Sequence, residues 1–171
     1  MSKRIIIFLL TVFTICIKAQ ISELISLQNM NIEDVNAYLE KNNWKFEKIS
    51  GEEPPKLGIL QYKLLSETDS NLVIARLFLY YKGNSIKRLT NIFINTGIYY
   101  NYLNDLEKIN AKQIDDNSNS LKKVYQNKSH TFIFNFSKEK GDNIMIPHKY
   151  YILSLLSNED YKNLKNNNST N

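Results

Sequence analysis

Apolar positions along this chain follow two different periods, and the changes between them outline the elements. Ile32, Val35 and Leu39 fall on one helical stripe. Asn31 stands before them as an N-cap, and Glu33 and Asp34 occupy the first turn, where the helix dipole favours acids. This spacing predicts a helix from Ile32 to about Asn42, preceded by a short helical turn over Ser22 to Leu27. Trp44 and Phe46 then alternate with Lys45 and Glu47, the period of a half-buried strand. Gly51 to Lys56, with Pro54 and Pro55, is expected to be a loop.

Ile59 to Leu65 is the next expected strand, and Glu67 to Asn71 a polar turn. Asn71 to Tyr81 is apolar at nearly every position, the pattern of a central strand covered on both sides. Gly83-Asn84 predicts a hairpin turn, with Lys87 to Asn95 as the returning strand. Tyr99, Tyr102, Leu103, Leu106 and Ile109 recur at helical spacing and give a second long helix, with Asn101, Asn104, Asp105 and Lys108 on its wet face. Short strands are expected near Lys112 to Asp115 and over Leu121 to Gln126, separated by a polar loop. Phe132, Phe134 and Phe136 alternate with Thr131, Ile133 and Asn135, so His130 opens another strand. A turn around Gly141 returns through Ile144 to Leu156, bent at Pro147. Ser157 with Asp160 is a capping pair for a last short helix.

The N-terminus follows a different logic. Lys3 and Arg4 precede a mainly apolar run from Ile5 to Ile17, and Ile17-Lys18-Ala19 offers an apolar-x-Ala cleavage site before Gln20. The run is shorter than the roughly 20 residues a membrane span requires, so an export signal over residues 1–19 is expected, with cleavage between Ala19 and Gln20. Cys16, the single cysteine of the chain, lies within this leader. Its alternative role is acylation as a lipid-anchored envelope component, although Ile15 stands where that signal needs a small residue. Cleavage leaves a disulfide-free domain that must hold together by packing. The chain carries a formal net charge of +5, and loss of Lys3, Arg4 and Lys18 lowers it to about +2, too little to indicate nucleic acid. Asn, Lys, Ile and Tyr are abundant, and all have AT-rich codons, so their number alone carries little functional meaning.

Catalytic vocabulary is sparse. Two histidines and no cysteine beyond the leader give little material for a metal site, and no cofactor is expected. A hairpin centred near Gly141 would draw His130 and His148 together, so a hydrolase or ligand-binding enzyme using both is the alternative reading. Glu52-Glu53 and Asp115-Asp116 are loop pairs whose neighbours point apart in extended chain. There is no Gly-x-Ser-x-Gly elbow and no phosphate-cradling glycine loop. Tyrosines remain as binding candidates. In the pairs around Tyr80, Tyr100 and Tyr150 one ring is expected in the core and the other wet, available to anchor a protein or stack on a sugar.

Two short matches recur in order. Leu39-Glu40-Lys41-Asn42-Asn43-Trp44-Lys45 parallels Leu106-Glu107-Lys108-Ile109-Asn110-Ala111-Lys112, and Lys82-Gly83-Asn84-Ser85-Ile86 parallels Lys140-Gly141-Asp142-Asn143-Ile144. They suggest a duplicated unit of one helix and four strands, with halves 21–95 and 96–156 inside a single domain 20–165, followed by a disordered tail 166–171. Such a unit, with Leu27-Gln28-Asn29-Met30-Asn31-Ile32-Glu33-Asp34-Val35 at its helix entry, resembles the beta-lactamase inhibitory protein and the small outer-membrane assembly lipoproteins. Asn29 stands where that group has glycine. The resemblance implies an α+β fold, an antiparallel sheet with helices packed on one face, and no particular function. The sequence therefore points to an exported, periplasmic or secreted, non-enzymatic binding module. Its expected partner is another envelope or extracellular protein, without nucleic acid and without a membrane span once the signal is removed.

Overall fold

The structure, a computed structural model, describes residues 20–51, 57–114, 121–139 and 148–168. The leader with Cys16 and Ala19, the Pro54-Pro55 loop, both acidic pairs and the turn around Gly141 lie outside them.

Four helices and eight strands are described: α1 Ile21–Asn29, α2 Ile32–Lys41, β1 Trp44–Gly51, β2 Gly58–Leu65, β3 Val73–Lys82, β4 Ser85–Phe93, α3 Thr96–Lys108, β5 Lys112–Gln113, β6 Lys122–Gln126, β7 His130–Glu139, β8 His148–Ser157 and α4 Asn158–Asn168. All eight strands join one antiparallel sheet in the order β1-β2-β3-β4-β8-β7-β6-β5. The fold is thus α+β, and two four-strand meanders meet at β4 and β8. The order of one helix and four strands occurs twice.

Local chemistry sets the element ends. Asn31 caps α2 by accepting the Asp34 N–H at 2.9 Å, and Asn95 caps α3 by accepting from Gly97 at 2.7 Å and Ile98 at 3.4 Å. Both long helices end on an asparagine in the left-handed region, Asn43 at φ 65° and Asn110 at φ 54°. Asparagine and glycine accept that conformation, which closes a helix by turning its last carbonyls back on the chain. These two residues occupy matching positions in the parallel heptapeptides. The second pair of matched segments includes residues 140–144, outside the described residues. Gly83 takes φ 57° in the two-residue turn between Lys82 and Ser85, as the glycine signal predicts.

Cross-strand partners share a face, which assigns every side chain to one of two sides. Leu60, Tyr62, Leu77, Leu79, Leu89, Phe93, Phe132, Phe134, Tyr151, Leu153 and Leu155 form the main core together with Ile21, Leu24, Val35 and Leu39 from α1 and α2. Each large apolar side chain buried here contributes about 1.5–3 kcal/mol. α3 lies over the seam between the two meanders: the Tyr99 ring stacks on Tyr151 at 5.1 Å and meets Phe134 edge-on at 5.5 Å. Gly58 faces Tyr81 across β2 and β3, and the tyrosine ring fills the space a Cβ would need.

Three features differ from the sequence expectations. α1 is a nine-residue helix, longer than the short turn expected over Ser22 to Leu27, and the positions added at its two ends include Ile21 and Gln28, both buried. β3 is covered on one face only: Ala75, Leu77 and Leu79 are buried, whereas Ile74, Phe78 and Tyr80 are partly exposed and Arg76 is exposed. The helices also do not all share one side. Val124, Ile133, Leu156 and Tyr161 form a separate cluster, and the three strand residues have the opposite parity to Phe132, Phe134, Leu153 and Leu155. α4 therefore packs on the second face, while α1, α2 and α3 cover the first. Its start is capped as expected, Ser157 Oγ accepting the Asp160 N–H at 3.0 Å, and the helix runs on to Asn168 into the segment read as a tail.

Candidate functional site

The second face of the sheet gathers partly exposed apolar rings among basic residues. Alternation sends Arg76, Phe78 and Tyr80 of β3 to this side, opposite Ile92, Thr90 and Arg88 of β4. Ile152 of β8 faces Ile92, and Lys63 of β2 faces Arg76. α4 rests on β7 and β8, and Phe78, Tyr80, Ile92 and Ile152 keep part of their surface in solvent. Strands β1 to β4 hold seven basic residues, Lys45, Lys48, Lys63, Arg76, Lys82, Lys87 and Arg88, against a single acid, Glu47. Glu47 lies at a bulge in β1 and meets Arg76 at 3.5 Å and Lys63 at 3.8 Å, with the Gln61 amide also donating to it. The Arg88 guanidinium stacks 3.7 Å from the Tyr80 ring centroid, and its buried Nε has no partner. Such a field attracts anionic surfaces, and its rings supply contact area.

The candidate residues read from sequence do not converge. In the β7–β8 ladder His130 pairs with Ser157 and Glu139 with His148. Nine residue steps along β8 separate the two histidine rungs, about 30 Å of strand. The expected meeting of His130 and His148 is therefore overturned by register: the hairpin is centred farther along the chain than Gly141. His130 donates to or accepts from Ser129 Oγ at 2.8 Å through Nδ1, and its ring lies 6.3 Å from that of Phe132. Burial holds its pKa below the ordinary histidine value, so it favours the neutral form.

The tyrosine pairs divide as expected in two cases. Tyr99 is 7% exposed against 59% for Tyr100, and Tyr151 is buried while Tyr150 is partly exposed. Tyr80 and Tyr150 share the second face, but the Tyr80 row reaches β8 at Leu156, six steps or about 20 Å from Tyr150. Tyr100 belongs to α3, on the other side of the sheet. Among the described residues no group of three or more His, Cys, Asp or Glu side chains is placed to hold a metal ion.

Sequence reasoning passed over Phe78, Ile92, Ile152 and the two arginines of β3 and β4. Their signal was present as the alternation of Arg76, Phe78 and Tyr80, masked by apolar residues on the opposite parity. It also passed over Asn91. This residue is 3% exposed and faces the main core, where its Nδ2 donates to the Tyr102 hydroxyl at 2.8 Å and its Oδ1 has no partner. Asn91 lines a cavity of about 130 Å³ together with Trp44, Leu64, Ile74, Ala75, Ile94, Asn95 and Ile98. Burial raises the Tyr102 pKa far above the ordinary tyrosine value against the opposing effect of the Asn91 hydrogen bond, so the hydroxyl stays protonated.

No helix among the described residues is long and apolar enough to cross a membrane. No protein-family model, curated protein or solved structure matches the chain significantly, so neither a family nor the likeness to the inhibitory-protein architecture adds to what the geometry carries.

Proposed function

We propose that this chain is an exported, non-enzymatic binding module that receives an acidic surface of another protein on its second sheet face. The observation that carries this reading is the composition of that face: Phe78, Tyr80, Ile92 and Ile152 partly exposed at its centre, Arg88 beside them, and Lys45, Lys63 and Arg76 along one rung of β1 to β3 with Glu47 as their acid. Rings with apolar bodies and polar tips give contact area at low entropic cost, and the flanking cations select the partner's sign. Export rests on the N-terminal pattern of Lys3, Arg4 and the apolar run to Ile17. The mature charge of about +2 is too small to argue for nucleic acid.

A photo-crosslinking residue placed at Phe78, and separately at Tyr100 on the helix side, tests this in the producing cell. Crosslinking to one protein from Phe78 alone is expected, and the Arg76→Glu/Arg88→Glu variant should lose it while keeping its circular dichroism spectrum. Equal crosslinking from both positions, crosslinking unaffected by the charge reversals, or nucleic acid as the crosslinked species would each overturn the reading.

A further inference from the structure

Gln20 is the N-cap of α1, with extended backbone at φ −95° and ψ 145°. Its carbonyl accepts the Glu23 N–H at 3.0 Å and the Leu24 N–H at 3.2 Å, two of the donors that a helix start leaves unmatched. The next residue, Ile21, is 0% exposed, and its N–H donates to Asp105 Oδ2 at 3.3 Å. The backbone is therefore held through the Gln20 carbonyl. The side chain of Gln20 has no such hold. The residue is exposed, its side chain caps no helix N–H, and Ser22 Oγ reaches its Oε1 only at 3.4 Å, beyond the usual range for two oxygens. Its carboxamide is free to turn back on its own nitrogen.

The export reading places the cut between Ala19 and Gln20, and the present inference rests on that reading. Such a cut turns the Gln20 backbone nitrogen into a primary amine on the same residue as the carboxamide. An α-amino group has a pKa of roughly 7.7–8.0, so part of it is unprotonated and nucleophilic near neutral pH. From that nitrogen, attack on Cδ closes an unstrained five-membered ring.

We propose that the exported chain is modified at Gln20 to an N-terminal pyroglutamate. The amine nitrogen bonds to Cδ, the Cδ–Nε2 bond breaks, and Nε2 leaves as ammonia with a proton from the amine. Nothing is oxidised or reduced, and no co-reactant is consumed. The product is a neutral lactam in place of a charged terminus. Its carbonyl toward Glu23 and Leu24 is untouched, so the cap of α1 survives the reaction. An aminopeptidase needs a free amine, and removal of an open Gln20 would take that cap away from the helix that carries Ile21, Leu24 and Leu27 into the core. Ring closure blocks that loss.

The experiment expresses the full chain with its leader in the producing cell and measures the exported form by intact mass, directly after harvest and again after storage in buffer. The mass expected at harvest is that of Gln20–Asn171 less one ammonia, with no product from N-terminal degradation until a pyroglutamyl peptidase is added, after which the sequence starts at Ile21. Gln20→Asn, whose shorter side chain would need a strained four-membered ring, should keep its full mass and an open amine. Incubation with an aminopeptidase should then shorten Gln20→Asn and leave the wild type intact. A chain that starts at Gln20 with a free amine, or that loses ammonia only on storage, overturns the modification and leaves the export reading standing. A first residue other than position 20 overturns the cut, and the modification with it. Equal trimming of wild type and Gln20→Asn overturns the protective role.

Discussion

At the scale of single residues, Tyr62 shows how burial converts an ordinary side chain into a pH-dependent one. It is 1% exposed, its hydroxyl donates to Asn36 Oδ1, and burial together with the nearby Glu40 carboxylate pushes its pKa up to about 12. The folded chain therefore holds the phenolic proton more tightly than the unfolded chain, whose value is 10.0. This contribution to stability is fully present below pH 10 and is lost as the pH rises towards 12. Urea denaturation across that window should show falling stability in the wild type and a shallower fall in Tyr62→Phe; identical slopes would remove Tyr62 as a cause. Asn43 and Asn110 show the opposite case, in which the residue type was legible and its role was not. The matched heptapeptides were visible as a repeat of letters, and the structure shows that both asparagines perform one task, closing a helix through a positive φ. Asn91 was not legible at all. Nothing in Leu89-Thr90-Asn91-Ile92-Phe93 says that the third residue points into a core, because that depends on which parity of β4 faces α3.

At the scale of elements, α4 stands apart from the other helices, alone on the second face among the described residues. It is held by the Tyr161 side chain in the small cluster with Val124, Ile133 and Leu156. It is also held by Asn158, whose Oδ1 accepts from Gln126 at 2.9 Å and Thr131 at 2.8 Å and whose Nδ2 donates to the Asn127 carbonyl at 3.1 Å. Tyr161→Ala removes the apolar half of this attachment, at a cost of about 3 kcal/mol or more if the helix stayed in place. The expected outcome is local release: amide hydrogens of 158–168 exchange rapidly while those of β3 and β4 remain protected. Loss of protection throughout the sheet would mean that α4 belongs to the main cooperative unit. The strands, both long helices and the Gly83-Asn84 turn were legible because each has a local cause: a period, a cap or a glycine. β3 was misread because its second face carries Ile74, Phe78 and Tyr80, which look like core in sequence and lie partly in solvent in the fold.

At the scale of the whole molecule, the two meanders are bound into one body. β4 and β8 pair over six residues, Thr90 and Ser154 hydroxyls meet at 3.0 Å across the seam, and α3 buries Tyr99 and Tyr102 over it. A single unfolding transition is expected, with Trp44 fluorescence from the first meander coinciding with far-ultraviolet circular dichroism from the entire sheet. Separated midpoints would show that the halves unfold independently. The same seam makes the second face continuous from β1 to β8, so that Phe78 and Tyr80 of the first half and Ile152 of the second share one surface. That continuity is what the proposed partner would read.

The sequence by itself determined the class of each element and most of their order, because period-two and period-3.6 patterns, caps and turn residues act over a few neighbours. It also determined that histidine and cysteine are few, two and one in the whole chain. Only the tertiary structure decided the register of β7 against β8, which separates His130 from His148, and the parity of each strand. Those choices divide the chain into a covered face and an open one, and they bury Asn91 with an unmatched acceptor beside a cavity. Both depend on contacts between residues far apart in sequence, where burial of the many outweighs the local preference of any one.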